Sequence, residues 1–175
     1  MNSLKEATAA AHKRAEQTEI VKLIFEKKID NQQYASLLAN QLIYYSAMEK
    51  CNSIFQSNPQ LARSSQLLND LIDLCADSLV ISTVSYRYAD YLKGLNTQSM
   101  WAHVYVHYLG DMMGGQMLKR CVPGAGSRFE FENMPELISN VRFNVSIADA
   151  YEAQQAFEWT INIYDDLYRR IREAG

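Results

Sequence analysis

The chain has 175 residues, 48% hydrophobic against 21% charged, a balance too apolar for disorder and long enough to bury the core of one domain. A net charge of −3 and a pI near 5.6 give no electrostatic footing for nucleic acid. No run of about 18 apolar residues predicts a membrane span, no signal-peptide core is legible, and the odd, widely spaced Cys51, Cys75 and Cys121 fit reduced thiols in a cytoplasmic compartment.

Only three prolines occur, and apolar residues recur with a helical period rather than in alternation. This predicts an all-α chain forming a single compact domain over 1–175. Ser3, with Glu6 three residues on, forms a capping box that opens a first helix over 4–17. A short helix is expected over 19–27. After a polar break, Asp30 caps a helix over 31–56, ended by Asn58-Pro59. Its apolar and aromatic positions include Tyr34, Leu37, Leu38, Leu42, Tyr45, Met48 and Phe55. Two further striped helices are expected over 67–79 and 84–95, with Gly94 and Asn96 at the exit of the second. Ser99 opens a long central helix over 100–121, stopped by Pro123-Gly124-Ala125-Gly126. That linker, with Ser127 and Arg128, is the one flexible-looking interior stretch. A short helix over 135–144 carries Arg142. Asp149 caps the last helix, striped by Tyr151, Phe157, Ile161, Tyr164 and Leu167.

The central helix reads YVHYLGDMMGGQMLKR over 105–120 and holds three of the chain's seven glycines. Each glycine inside a helix forfeits about 0.5–1 kcal/mol relative to alanine, a cost that needs a reason. Gly110 and Gly114 share one face one turn apart, and Gly115 widens the bare strip, with Asp111 at its edge. Such a face suits a flat ligand that needs protons managed beside it. Close helix packing, with Gly114 and Gly115 at the contact, is the other reading. A membrane dimerisation motif is excluded by Asp111, Lys119 and Arg120. His103 and His107 have the spacing of zinc sites, but no glutamate follows His103 and no third ligand is evident, so they read as ordinary helix histidines. Glu16 stands four residues after His12 and can accept a hydrogen bond from one ring nitrogen, leaving the other as a donor to a metal. One such histidine is too little for zinc and enough for haem iron; a surface salt bridge is the alternative. Lys5 lies roughly 10 Å before His12 along the helix, at about 1.5 Å per residue, a distance suited to a haem propionate.

These stretches resemble the haem oxygenases. YLGDMMGGQMLKR is similar to that family's distal-helix signature, YLGD-x-x-GGQ-x-L-K, and LKEATAAAHKRAE to its proximal-helix pattern. YYSAMEK and AFEWTINIYDDL also fit, with shortened segments between about 60 and 98 and after Arg120. The resemblance implies a fold in which haem is sandwiched between proximal and distal helices. It implies His12 as the iron ligand, oriented by Glu16. Gly110 and Gly114 would bring the distal backbone over the haem. Asp111 would anchor a proton-delivering water network, with Tyr45 and Tyr108 as further members. Lys5, Tyr105 and Arg142 would hold the propionates. Two departures stand out: Met112-Met113, where Leu-Ser is frequent, makes the distal face more apolar, and His107 stands where many members have arginine. The implied activity is oxidative cleavage of haem to biliverdin, carbon monoxide and iron. It would use dioxygen and electrons from a ferredoxin or an NADPH-dependent flavoprotein reductase, with a downstream bilin reductase as a further partner and the protein monomeric. Two rival readings are a haem-binding chaperone or sensor without turnover, and a thiamine-degrading enzyme of related fold, which needs a cysteine nucleophile in its pocket.

Overall fold

The computed structural model describes residues 3–174. Among these residues there are helices and turns and no β-strand. Helix α1 is Leu4–Glu16, opened by the expected capping box: Glu6 N–H donates to Ser3 Oγ (3.2 Å) and Ser3 N–H to Glu6 Oε2 (2.7 Å). α2 is Glu19–Phe25. α3, Asn31–Cys51, starts on a second capping box between Asp30 and Gln33. α3 is the central rod, buried on nearly all faces, with its inward polar groups Ser36, Asn40 and Gln41 hydrogen-bonded. It ends five residues earlier than expected, because Asn52 turns extended and its Oδ1 accepts the Ile54 N–H (3.1 Å). The remainder is the one-turn α4, Ile54–Ser57.

α5 is Ser64–Asp73 and α6 is Thr83–Lys93; both pack on α3. α5 begins before the predicted 67 because the Glu49 carboxylate accepts the N–H of Arg63 (2.7 Å) and of Ser64 (3.1 Å). It ends at Asp73, capped by Leu74 and followed by Cys75 in the left-handed region (φ 48°), so the expected helix to 79 is not formed.

The predicted central helix is three pieces. α7, Thr97–Val104, is capped by Asn96 rather than Ser99. A π-helical turn follows over Tyr105–Leu109, and α8 is Gly110–Leu118. One extra residue per turn bulges the backbone directly before Gly110. α9 is Met134–Phe143 and α10 is Ala150–Ala174, the latter lying along α1. Tyr151, expected in the α10 stripe, is 67% exposed, since the buried face begins at Ala153. No described helix is long and apolar enough to cross a membrane.

The linker expected to be flexible is built as a rigid arm. Gly124 (φ 80°) and Gly126 (φ 63°) take left-handed angles that a side chain disfavours. A 3₁₀ turn follows over Ser127–Phe129. Asp70 fastens it by accepting the N–H of Ser127 (2.8 Å) and of Arg128 (3.0 Å). Arg128 is thereby driven inward, to 3% exposure.

Candidate functional site

A cavity of ≈220 Å³ lies among α1, α3, α8 and α10. α1 contributes His12, Ala15 and Glu16; α8 contributes Gly110, Asp111 and Gly114; Phe25, Leu37 and Phe157 are among its apolar lining. The three glycines divide by task. A Cβ built on Gly110 or Gly114 meets nothing within 4 Å, whereas one on Gly115 would stand 2.8 Å from a Phe129 ring carbon. The bare strip facing the cavity is therefore Gly110–Gly114, and Gly115 is a packing contact. Gly115→Ala should cost about 1–3 kcal/mol through overpacking, while Gly114→Ala should stabilise the unliganded fold by about 0.5–1 kcal/mol. Thermal denaturation distinguishes the two signs.

His12 has its side chain 59% exposed, with Nε2 3.7 Å from Glu16 Oε1. That separation is beyond a hydrogen bond, so the expected bond is not formed; both groups are open to competing water. The ring meets Phe157 edge-on, with centroids 5.7 Å apart. It is free to serve as a ligand.

Asp111 sits in a dense polar network. Tyr45 donates its hydroxyl to Asp111 Oδ2 (2.7 Å), and Arg128 Nη2 donates to both carboxylate oxygens (3.0 and 2.9 Å). Arg128 also donates to Gln41 Oε1, and Gln41 Nε2 to the Tyr164 hydroxyl (2.9 Å). Burial works against the Arg128 cation, yet Asp111 outweighs it and holds the guanidinium charged, well above its usual range. Burial, then Asp111, pushes the Tyr45 phenol well up, so it stays a neutral donor. Arg128 and Gln41 were missed in the sequence. Gln41 was detectable, one turn before Tyr45 on the same face. Arg128, in a glycine-rich linker, was not.

Four other expected residues lie outside the lining. The Tyr108 hydroxyl is taken by Glu49 (2.9 Å), and its ring packs on Tyr45; it supports Tyr45 from behind rather than facing the cavity. Lys5 and Arg142 are exposed, and Tyr105 packs near Leu4. The methionine pair does not alter the cavity face: Met112 is buried and Met113 exposed, while Met117 lines the cavity. None of the three cysteines lines it, which removes the thiol-nucleophile reading. His103 and His107 each bond the Tyr88 hydroxyl, and no group of three metal-ligating side chains occurs among the described residues.

The donor set fits haem. It has one unengaged histidine, a bare helix face and an apolar lining, together with two buried polar atoms that have no protein partner, Tyr34 Oη and Arg128 Nε. Residues 1–158 match the family model described as "Heme oxygenase". The chain belongs to the haem oxygenase family. Among its relatives is the haem oxygenase of Porphyra purpurea, 31% identical over 139 residues, which are 71% of this chain and 59% of that protein. The chain spans about three fifths of the curated relatives it matches, 59% and 56% for the first two. Haem oxygenase-1 of Synechocystis sp., solved in complex with haem, superposes with a TM-score of 0.83 at 24% identity, covering 98% of this chain and 93% of that one. The Leptospira interrogans haem oxygenase gives 0.78 at 24% identity, covering 93% and 96%. These likenesses establish the all-α haem oxygenase fold for this chain, as the distal and proximal motifs implied.

Proposed function

We propose that this chain cleaves haem oxidatively to biliverdin, carbon monoxide and ferrous iron, with dioxygen and external electrons as co-substrates. The observation that carries the reading is one unengaged histidine sharing a cavity with a glycine strip and a buried carboxylate. When bound, haem supplies the iron that activates dioxygen; the chain supplies position and protons. His12 would hold the iron, with Glu16 within reach of its ring. Gly110 and Gly114 admit a flat ligand against the helix backbone. Asp111, fixed by Tyr45 and Arg128, can accept hydrogen bonds from cavity waters and so order a proton route. Lys5, Tyr105 and Arg142 would serve the propionates at the rim. Electrons would come from a ferredoxin or an NADPH-dependent flavoprotein reductase, and a bilin reductase would take the product from a monomeric, cytoplasmic protein.

Purified protein given haemin and a reductant in air should lose its Soret band to a green bilin. A persistent Soret band without bilin would reduce the protein to a haem binder, and no spectral change on mixing would remove both readings. Gly114→Ala, stabilising without haem, should weaken haem binding by about 1–3 kcal/mol through the intruding methyl, checked by haemin titration.

A further inference from the structure

Behind the cavity wall runs a chain of hydrogen-bonded groups that the reading above leaves unused. His107 lines the cavity, and its Nε2 lies 2.8 Å from the Tyr88 hydroxyl oxygen. The same oxygen is 2.7 Å from His103 Nδ1. His103 Nε2 in turn is 3.1 Å from Glu152 Oε2. His103 and Tyr88 are fully buried and His107 nearly so, whereas the Glu152 side chain is 21% exposed. Four residues from α6, α7, the π turn and α10 thus join the cavity to the protein surface. Tyr44 and Trp159 pack around them, and the Tyr91 hydroxyl donates to the same Glu152 Oε2 (2.8 Å); His103 and this tyrosine hold that carboxylate below its usual range.

A Tyr88 hydroxyl has one proton, so it donates to one histidine and accepts from the other. The chain therefore has a direction. Burial lowers the basicity of both rings: His103 despite the hydrogen bond to Glu152, and His107 further, with His103 and Arg128 adding to burial. A neutral imidazole carries one N–H and one bare nitrogen, so each ring can gain a proton on one side and release one on the other. A merely structural network would need neither a wet carboxylate at one end nor a cavity at the other.

We infer that Glu152, His103, Tyr88 and His107 form a proton path from the surface to the cavity, a reading that rests on the haem-cleaving function proposed above. Reduction of dioxygen consumes protons, and a ligand across the cavity mouth separates the waters inside from bulk solvent that would resupply them. In one passage Glu152 takes a proton from solvent and gives it to His103 Nε2. His103 Nδ1 gives its proton to Tyr88, Tyr88 gives its hydroxyl proton to His107 Nε2, and His107 releases one from Nδ1 to a cavity water. Each group loses one proton and gains one; the passage leaves both rings protonated on Nε2 instead of Nδ1, so each ring must turn about its Cβ–Cγ bond before the next. Glu152, His103 and Tyr88 here are relaying groups away from the substrate; His107 alone borders the cavity.

Two measurements test this. In the haem-free protein, ring ¹⁵N spectra report the tautomers of His103 and His107. Glu152→Gln keeps the side-chain shape and cannot relay a proton. It should change the tautomer balance at His103 and also at His107, two links away. In the haem-loaded protein, Glu152→Gln and Tyr88→Phe should each slow bilin formation by about 10-fold or more. Both should alter the solvent deuterium isotope effect and leave haemin affinity within about twofold. The path is overturned if either variant keeps the parental rate and isotope effect, or if His107 fails to respond to Glu152→Gln. If the parent makes no bilin, the proposed function fails by itself, and the ¹⁵N spectra still decide whether the two histidines are coupled.

Discussion

His12→Ala should abolish almost all bilin formation while leaving the fold intact. The side chain is 59% exposed and its Nε2 stands 3.7 Å from Glu16, beyond a hydrogen bond, so little native packing is lost beyond an edge contact with Phe157. Alanine is intrinsically favoured at a helix position, and surface changes of this kind stay within about ±0.5 kcal/mol. The loss should instead be of iron coordination. Changing a partner of a metal ligand costs about 10–100-fold, so removal of the ligand should exceed about 100-fold in turnover. Glu16→Ala, which removes only a neighbour 3.7 Å away with no hydrogen bond to the ring, should cost less than that range. Imidazole added to His12→Ala should restore a histidine-like haem spectrum. Ferric and ferrous–carbonyl spectra identical to the parent's would place the ligand elsewhere.

The legible features were those fixed by near neighbours. Ser3 with Glu6, and Asp30, fall at the expected capping positions, because a cap involves residues three apart. Gly110 and Gly114 were legible as a ligand-facing strip because helical spacing alone puts them on one face. Gly115 was legible only as one of two readings, part of the strip or a packing contact, since the choice depends on Phe129 across a turn. The same holds for Arg128, which the sequence places in a glycine-rich linker. Its burial is enforced by Asp70, 58 residues earlier, through backbone bonds that have no local signature. The π turn over Tyr105–Leu109 is also invisible to periodicity, since one inserted residue barely disturbs the apolar pattern around it. His103 and His107 looked like idle helix histidines because their common partner, Tyr88, lies on another helix.

Arg128 also changes what removing Asp111 should do. From the motif alone, Asp111→Ala is a clean deletion of a proton-handling carboxylate. In the structure it strands a guanidinium that is 3% exposed, and Arg128→Met strands a buried carboxylate in turn. Breaking a buried pair from one side costs about 3–5 kcal/mol, whereas replacing both partners by apolar groups is frequently neutral. Each single variant should therefore lose about 3–5 kcal/mol in a denaturant titration, and Asp111→Ala with Arg128→Met should recover most of it. The double variant keeps His12 and the Gly110–Gly114 strip, so it should still bind haemin. It has no carboxylate to order cavity water, and the Tyr45 hydroxyl loses its acceptor at 2.7 Å. Haem should then stay bound with little bilin formed. Asp111→Asn should be intermediate, because the amide oxygen still accepts from Tyr45 but cannot take up a proton. This double variant separates folding from proton handling, which neither single variant can. Parental bilin yield from a folded, haem-loaded double variant would remove Asp111 from the chemistry and leave the buried pair as a structural brace.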